Sequence, residues 1–283
     1  VYSNALTHQI QNILQGRTNN IIKNYFLYYS YKERCDVKAI VIDMNSGYKC
    51  LIRELFPNAK IIIDRFHIVQ LVNRAFNKYR ISYMNSIKDK DKDLYRQLKY
   101  YWKNLLMKYD ELDNSIYKKF KHFKYITTED NIVNYLIKQD SALYKCYWLV
   151  QELREVLEQD DFNKFNTLVN DKSTLPRYMF TAIKTLRKYK RQIKNTMYYN
   201  GLSNGPLEGI NNKIKVIKRI SYGYRSFCNF RGKILLVFSL FSSSNTDKKP
   251  RYSKKERQAI LDKRKELKLN RKNKKKAILF NIA

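Results

Sequence analysis

Residues 36–68 read DVKAIVIDMNSGYKCLIRELFPNAKIIIDRFHI. Two runs of branched apolar residues, Ile40-Val41-Ile42 and Ile61-Ile62-Ile63, each end on a carboxylate, Asp43 and Asp64. Short apolar runs of β-branched residues mark buried strands, so strands are predicted over 37–43 and 60–66. Between them Tyr48, Leu51, Ile52, Leu55 and Phe56 recur at the spacing of one helix face. Pro57-Asn58 stops that helix. A strand–helix–strand unit with a right-handed crossover places its strands parallel and side by side, so both carboxylates are expected at one edge. Open α/β sheets hold their ligands at such carboxyl edges. A charge there is costly unless it is paired or binds something.

Outward from this stretch, Val1–Gly16 has the pattern of strand, turn and strand, with Ile10, Ile13 and Leu14 apolar, and a short helix is predicted over 19–31. From about 68 to 200 there is no glycine, and only Pro176 interrupts a helical pattern. Leu143, Cys146, Tyr147, Val150, Leu153 and Leu157 form one stripe, and Met179, Ala182, Ile183, Leu186 and Ile193 another. Stripes of this kind are helix–helix core, and Trp102 and Trp148 are expected to anchor it. Residues 201–241, GLSNGPLEGINNKIKVIKRISYGYRSFCNFRGKILLVFSLF, restore the punctuation. Pro206 suits a first helical position, with Gly205 before it as cap. Leu207, Ile210, Ile214 and Ile217 then line one face and Glu208, Asn212, Lys215 and Arg219 the other. A second helix around 227–241 carries Phe230, Ile234, Leu235, Phe238 and Phe241.

The chain of 283 residues holds 57 basic against 25 acidic residues, a net charge of +32. That excess predicts a polyanionic partner, nucleic acid ahead of an anionic membrane surface. An A·T-rich coding bias inflates Lys, Asn, Ile and Tyr together and accounts for part of it. Residues 248–276 hold 15 Lys/Arg and 3 Asp/Glu, 15 − 3 = +12, and read as a solvated or partly helical basic arm. Apolar residues at 44% are enough for a core, which excludes wholesale disorder. The four cysteines lack CxxC spacing and read as reduced, mostly buried residues of an intracellular protein rather than a zinc site. No run of about 18 apolar residues marks a membrane span. The chain opens on Val1, without Met and inside a strand-like stretch, so it is expected to be an N-terminally incomplete fragment.

Asp43, Asp64 and Glu208 are the candidate site residues. Asp64 has a plainer reading, as a pair with Arg65 or another basic neighbour, and Glu208 another, as an acid favoured by the dipole of a first helical turn. Carboxylates at a sheet edge also suit Mg²⁺, which takes one or two of them with waters and phosphate oxygens. Two such ions about 4 Å apart serve phosphodiester chemistry. Lys213, Lys215, Lys218 and Arg219 are placed to neutralise nucleic-acid backbone, or form a solvated basic face. His67 either contacts a phosphate or packs as an ordinary histidine.

Three blocks, VIDMNSGY, LFPNAKIIIDRFHIVQLVNRAF and LSNGPLEGINNKIKVIKRISYGYRSFCNFRGKIL, resemble in order and spacing the ISL-three type of bacterial insertion-sequence transposases, over about residues 1–240. The resemblance implies an RNase H-like α/β core of the DDE class: a mixed sheet with flanking helices, interrupted by a large all-helical insertion. On that plan 1–69 open the core, 70–200 are the insertion, 201–243 close the core and 244–283 are the basic tail. Asp43 matches the second acid of the triad and Glu208 the third, both as metal ligands. Asp64 matches the Asp of the family's Asp-Arg-Phe-His block, as ligand or as structural neighbour. The first acid belongs to a block absent upstream of Asp43, where Asp36 is the only other Asp. The resemblance further implies two Mg²⁺ (or Mn²⁺) ions, double-stranded DNA (element ends and target) as partner, homo-oligomers assembled on DNA, no membrane, and a bacterial cytoplasmic, nucleoid-associated location. Its implied function is metal-dependent DNA strand cleavage and strand transfer. A non-catalytic DNA-binding remnant and an RNase H-like nuclease are the alternatives.

Overall fold

The computed structural model describes residues 1–44, 46–171, 173–242 and 278–282; the basic arm at 248–276 lies outside them. The chain divides into two compact units, one of residues 1–61 and 202–283, the other of 62–201.

The first unit opens with β1 (Tyr2–Asn4) and β2 (Ile10–Asn12), an antiparallel pair. Asn4 turns the chain between them, its side-chain oxygen accepting the N–H groups of Leu6 (2.8 Å) and Thr7 (3.1 Å). The helix predicted over 19–31 is two helices, α1 (Asn19–Leu27) and α2 (Tyr31–Cys35). They are separate because Ser30 and Glu33 form a capping box that starts the second one afresh. β3 (Val37–Ile42), α3 (Ser46–Leu55) and β4 (Lys60–Ile63) follow. β4 ends three residues earlier than predicted, because residue 65 already begins a helix.

The second unit is mostly helical. It comprises α4 (Arg65–Ser86), α5 (Lys92–Tyr100), α6 (Trp102–Leu106), β5 (Lys118–Lys119), β6 (Ile126–Thr127), α7 (Glu129–Ile137), α8 (Ser141–Glu158), α9 (Phe162–Asn170), α10 (Arg177–Lys188) and α11 (Lys190–Tyr198). Both predicted stripes are buried, on α8 and on α10–α11. Two expectations fail. The stretch is not wholly helical, since β5 and β6 form a small antiparallel hairpin. Trp102 is 41% exposed rather than a core anchor. Its helix is five residues long and buries Leu105, while the preceding Tyr101 takes the inward position. Trp148 is half-buried, with ring contacts to Tyr109, Tyr144 and Tyr147.

The chain then returns to the first unit as α12 (Gly205–Ile220), α13 (Phe227–Ser242) and β7 (Ile278–Ile282). The sheet order is β2-β1-β7-β3-β4, with β7 antiparallel to β1 and parallel to β3. No strand is predicted from sequence beyond residue 243, so β7 is an addition. Two apolar clusters flank the sheet strands. One joins Ile40 and Ile42 to Phe26 of α1 and to Leu51, Ile52 and Leu55 of α3. Val37 shares that cluster although it lies an odd number of residues from Ile40; a register shift between Val37 and Ala39 brings both to one face. The other cluster joins Ile10 and Ile13 to Ile217 of α12 and Ile234 of α13. Of the cysteines only Cys146 is buried; Cys50 and Cys228 are exposed, contrary to the expectation that most would be buried. Among the described residues no helix is long and apolar enough to cross a membrane.

Candidate active site

Asp43 directly follows β3, whose Ala39, Ile40, Val41 and Ile42 are all buried, and it is itself half-buried. The amide nitrogen of Asn204 donates to its Oδ1 at 2.9 Å, across 161 positions of sequence. Asn204, only 1% exposed, is also the N-cap of α12, whose first-turn acid is Glu208. The Glu208 N–H donates to the Asn204 carbonyl oxygen at 3.0 Å. One residue therefore ties the end of β3 to the turn that carries Glu208. Helix start and carboxylate also suit each other, because the first turn presents unpaired N–H groups and a partial positive charge.

The cap lies one residue earlier than predicted, at Asn204 rather than Gly205. The Asn204 side chain makes no capping bond and is directed to Asp43 instead. Nothing in the spacing announces this; Asn-Gly-Pro reads only as a turn before a helix. The rest of the helix follows its pattern. Leu207, Ile210 and Ile217 are buried, and Glu208, Asn212, Lys215 and Arg219 are exposed.

The predicted cations differ in setting. Lys218 and Arg219 are exposed in the last turn of α12, where they complement the helix dipole. Lys215 is exposed and donates to Asn212 Oδ1 at 3.3 Å. Lys213 is half-buried, its ammonium 4.9 Å from the centre of the Phe238 ring on α13.

Asp64 and His67 belong to the 62–201 unit. Asp64, 4% exposed, is the N-cap of α4, and its carboxylate accepts the Phe66 N–H at 2.9 Å. Just before it, the N–H and C=O of Ile63 are both held by the buried Thr196 hydroxyl, at 3.1 and 2.8 Å. Arg65 bonds to the Leu157 carbonyl oxygen and the Asp160 carboxylate, with Asn200 at 3.4 Å. His67, in the first turn of α4, is half-buried with its ring 5.5 Å from that of Phe66. Among the described residues no three His, Cys, Asp or Glu side chains gather in a group that could hold a metal ion.

Comparison with known proteins gives the class first: the pattern of a transposase family matches residues 1–234. That family is the ISL3 type of DDE transposase, and the chain belongs to it. It is 25% identical over 245 residues to the transposase for insertion sequence element IS1001 of Bordetella parapertussis, covering 84% of this chain and 56% of that protein. It is 40% identical over 109 residues to a Lactococcus lactis subsp. lactis protein named ATP-dependent protease, covering 38% of this chain and 35% of that protein. The chain thus spans a third of one curated relative and just over half of the other. No solved structure gives a significant match.

Proposed function

We propose that this chain is the catalytic region of a DDE-type transposase, with an RNase H-like core and Asp43 and Glu208 as two of its metal-binding acids. The observation that carries the reading is the Asn204–Asp43 hydrogen bond, which joins the end of β3 to the first turn of the helix bearing Glu208. The core reading is supported by the mixed sheet and by the division of the chain, in which 62–201 interrupt two stretches that form one unit. Asp43 and Glu208 fit a divalent ion in kind, since Mg²⁺ or Mn²⁺ needs few protein oxygens and completes its shell with water and phosphate. When bound, such ions activate the attacking oxygen and stabilise the leaving one in phosphodiester cleavage and strand transfer. Asn204 is the positioning residue, fixing one oxygen of Asp43. Lys215, Lys218 and Arg219 offer the DNA backbone an exposed basic face. The β7 strand beside β3 reads Ile-Leu-Phe-Asn-Ile and brings no acid, so no residue is assigned to the first position of the triad. Asp64 is read as structural, because its carboxylate caps α4.

The name of the L. lactis relative says nothing of this chain. No Gly-x-x-x-x-Gly-Lys phosphate loop occurs in this chain, and the match covers a minority of that protein. The test of the proposal is calorimetric titration of Mn²⁺ into the chain and into its Asp43→Asn and Glu208→Gln variants. Binding that both substitutions weaken supports the pair. Binding unchanged by either removes them from the site.

A further inference from the structure

Residues 115–127 read SIYKKFKHFKYIT, in which Lys118, Lys119, Lys121 and Lys124 alternate with aromatic residues and no acid intervenes. The stretch forms the β5–β6 hairpin, with Lys118 opposite Thr127 and Lys119 opposite Ile126. Its loop, 120–125, is held from below at three points. Phe123 is 6% exposed, and its ring lies 5.6 Å from that of Tyr101 and 5.8 Å from that of Tyr135. The Tyr101 hydroxyl donates to the Lys121 carbonyl oxygen at 2.7 Å, and the Gln97 amide to that of His122 at 2.8 Å.

What the hairpin and the neighbouring end of α5 present to solvent is planar and cationic. Tyr100, Tyr117 and Tyr125 are 52%, 67% and 56% exposed. The exposed His122 ring stands 5.5 Å from Tyr100, and the Lys121 ammonium 5.2 Å from the Tyr100 ring centre. Lys119, Lys121 and Lys124 are exposed, and no acid pairs with them among the described residues.

We infer that the β5–β6 hairpin and Tyr100 form a binding surface for unpaired nucleobases in a single-stranded stretch of nucleic acid. Aromatic faces held beside lysines match a strand that alternates flat bases with phosphates, and stacking on such rings is indifferent to sequence. A duplex hides its base faces within the stack and offers these rings nothing. An acidic protein would satisfy the lysines and leave the tyrosines unused. The surface lies wholly in the 62–201 unit and does not rest on the metal-site reading.

The test uses the whole chain without divalent metal and measures anisotropy of labelled oligo(dT), oligo(rU) and a blunt duplex of equal length. In the Tyr100→Ala/Tyr125→Ala variant, single-strand affinity is expected to fall about tenfold or more, from the known effect of removing stacked rings, with duplex affinity within about twofold. The two single-stranded arms tell DNA from RNA as the source of the bases. Lys119→Gln/Lys121→Gln/Lys124→Gln should lower the single-strand salt slope by about 2, at about 0.7 per phosphate contact. Photo-crosslinking of wild-type chain to halogenated oligo(dU) should mark Tyr100, Tyr117 or Tyr125, a readout that needs no variant to fold. Equal losses on single strand and duplex, no loss on either, or crosslinks only outside residues 95–127 would overturn the inference.

Discussion

Asp43 and Asp64 stand in nearly the same sequence setting, each after three branched apolar residues of a strand, and the fold uses them differently. Both strand ends are fastened by a residue far along the chain. At β3 the Asn204 amide reaches the carboxylate itself, 161 positions away. At β4 the Thr196 hydroxyl, 133 positions away, takes the backbone of Ile63 instead. The stretch of chain just beyond each Asp decides the difference. After Asp64 a helix begins with the next residue, so the carboxylate becomes its cap. After Asp43 the next helix begins only at Ser46. The same local pattern therefore gives a helix cap in one case and a carboxylate held by a distant amide in the other.

The largest expected effect separates the two acids on chemistry. In a catalytically active family member carrying the matching residues, the change equivalent to Asp43→Asn should slow strand cleavage about a thousandfold or more, since loss of metal-ion assistance costs several kcal/mol. The change equivalent to Asp64→Asn should leave cleavage within about tenfold, because Asn is also a good cap. Equal and complete loss in both would make Asp64 a ligand and end the contrast.

Next in size is the tie at β4. Thr196→Val keeps the shape of a side chain that is 2% exposed but removes the hydroxyl from two backbone groups. Urea unfolding should show a loss of about 2 kcal/mol or more, as for buried polar groups stripped of a partner. A change below about 0.5 kcal/mol would mean that water or a shifted backbone replaces the hydroxyl.

Local periodicity made much of the fold legible: β3, α3 and the buried stripes of α8 and α10–α11 follow from spacing alone. Long-range partnerships were not legible. Asn204 reads as a turn residue, Thr196 as an ordinary helix position, and β7 as the end of a charged tail, because pairing across more than a hundred residues leaves no periodic trace. Trp102 misled for a related reason, since a large apolar residue on a five-residue helix is buried only if a neighbour does not take the inward place first. At the candidate site, sequence singled out Asp43 and Glu208 but not Asn204, whose amide bonds Asp43 and whose carbonyl oxygen accepts the Glu208 N–H.

A smaller effect isolates the cap. Asp64→Ala should cost about 1 kcal/mol, the usual loss of an N-cap oxygen, and Asp64→Ser should recover most of it because a hydroxyl serves the Phe66 N–H as well. If Ser recovers nothing, the negative charge matters beyond the cap, and Asp64 moves closer to Asp43 in role.

The smallest expected change tests whether the start of α12 is built for approach. Gly209 follows Glu208 inside the helix, is exposed, and a Cβ there would meet nothing within 4 Å. Helix propensity alone favours alanine at such a position by about 1 kcal/mol. Thermal unfolding of Gly209→Ala should therefore show a gain of up to about that size. A glycine where alanine would be more stable leaves room for something to come close to the backbone. If the first turn of α12 is a DNA-facing surface beside the site, the same variant should bind duplex DNA more weakly despite its greater stability. The first turn of α4, Arg65-Phe66-His67, has no glycine and no such conflict between stability and contact. A stabilised variant with unchanged DNA binding would show that nothing approaches α12 at Gly209, and the contrast between the two helix starts would then rest on Asn204 alone.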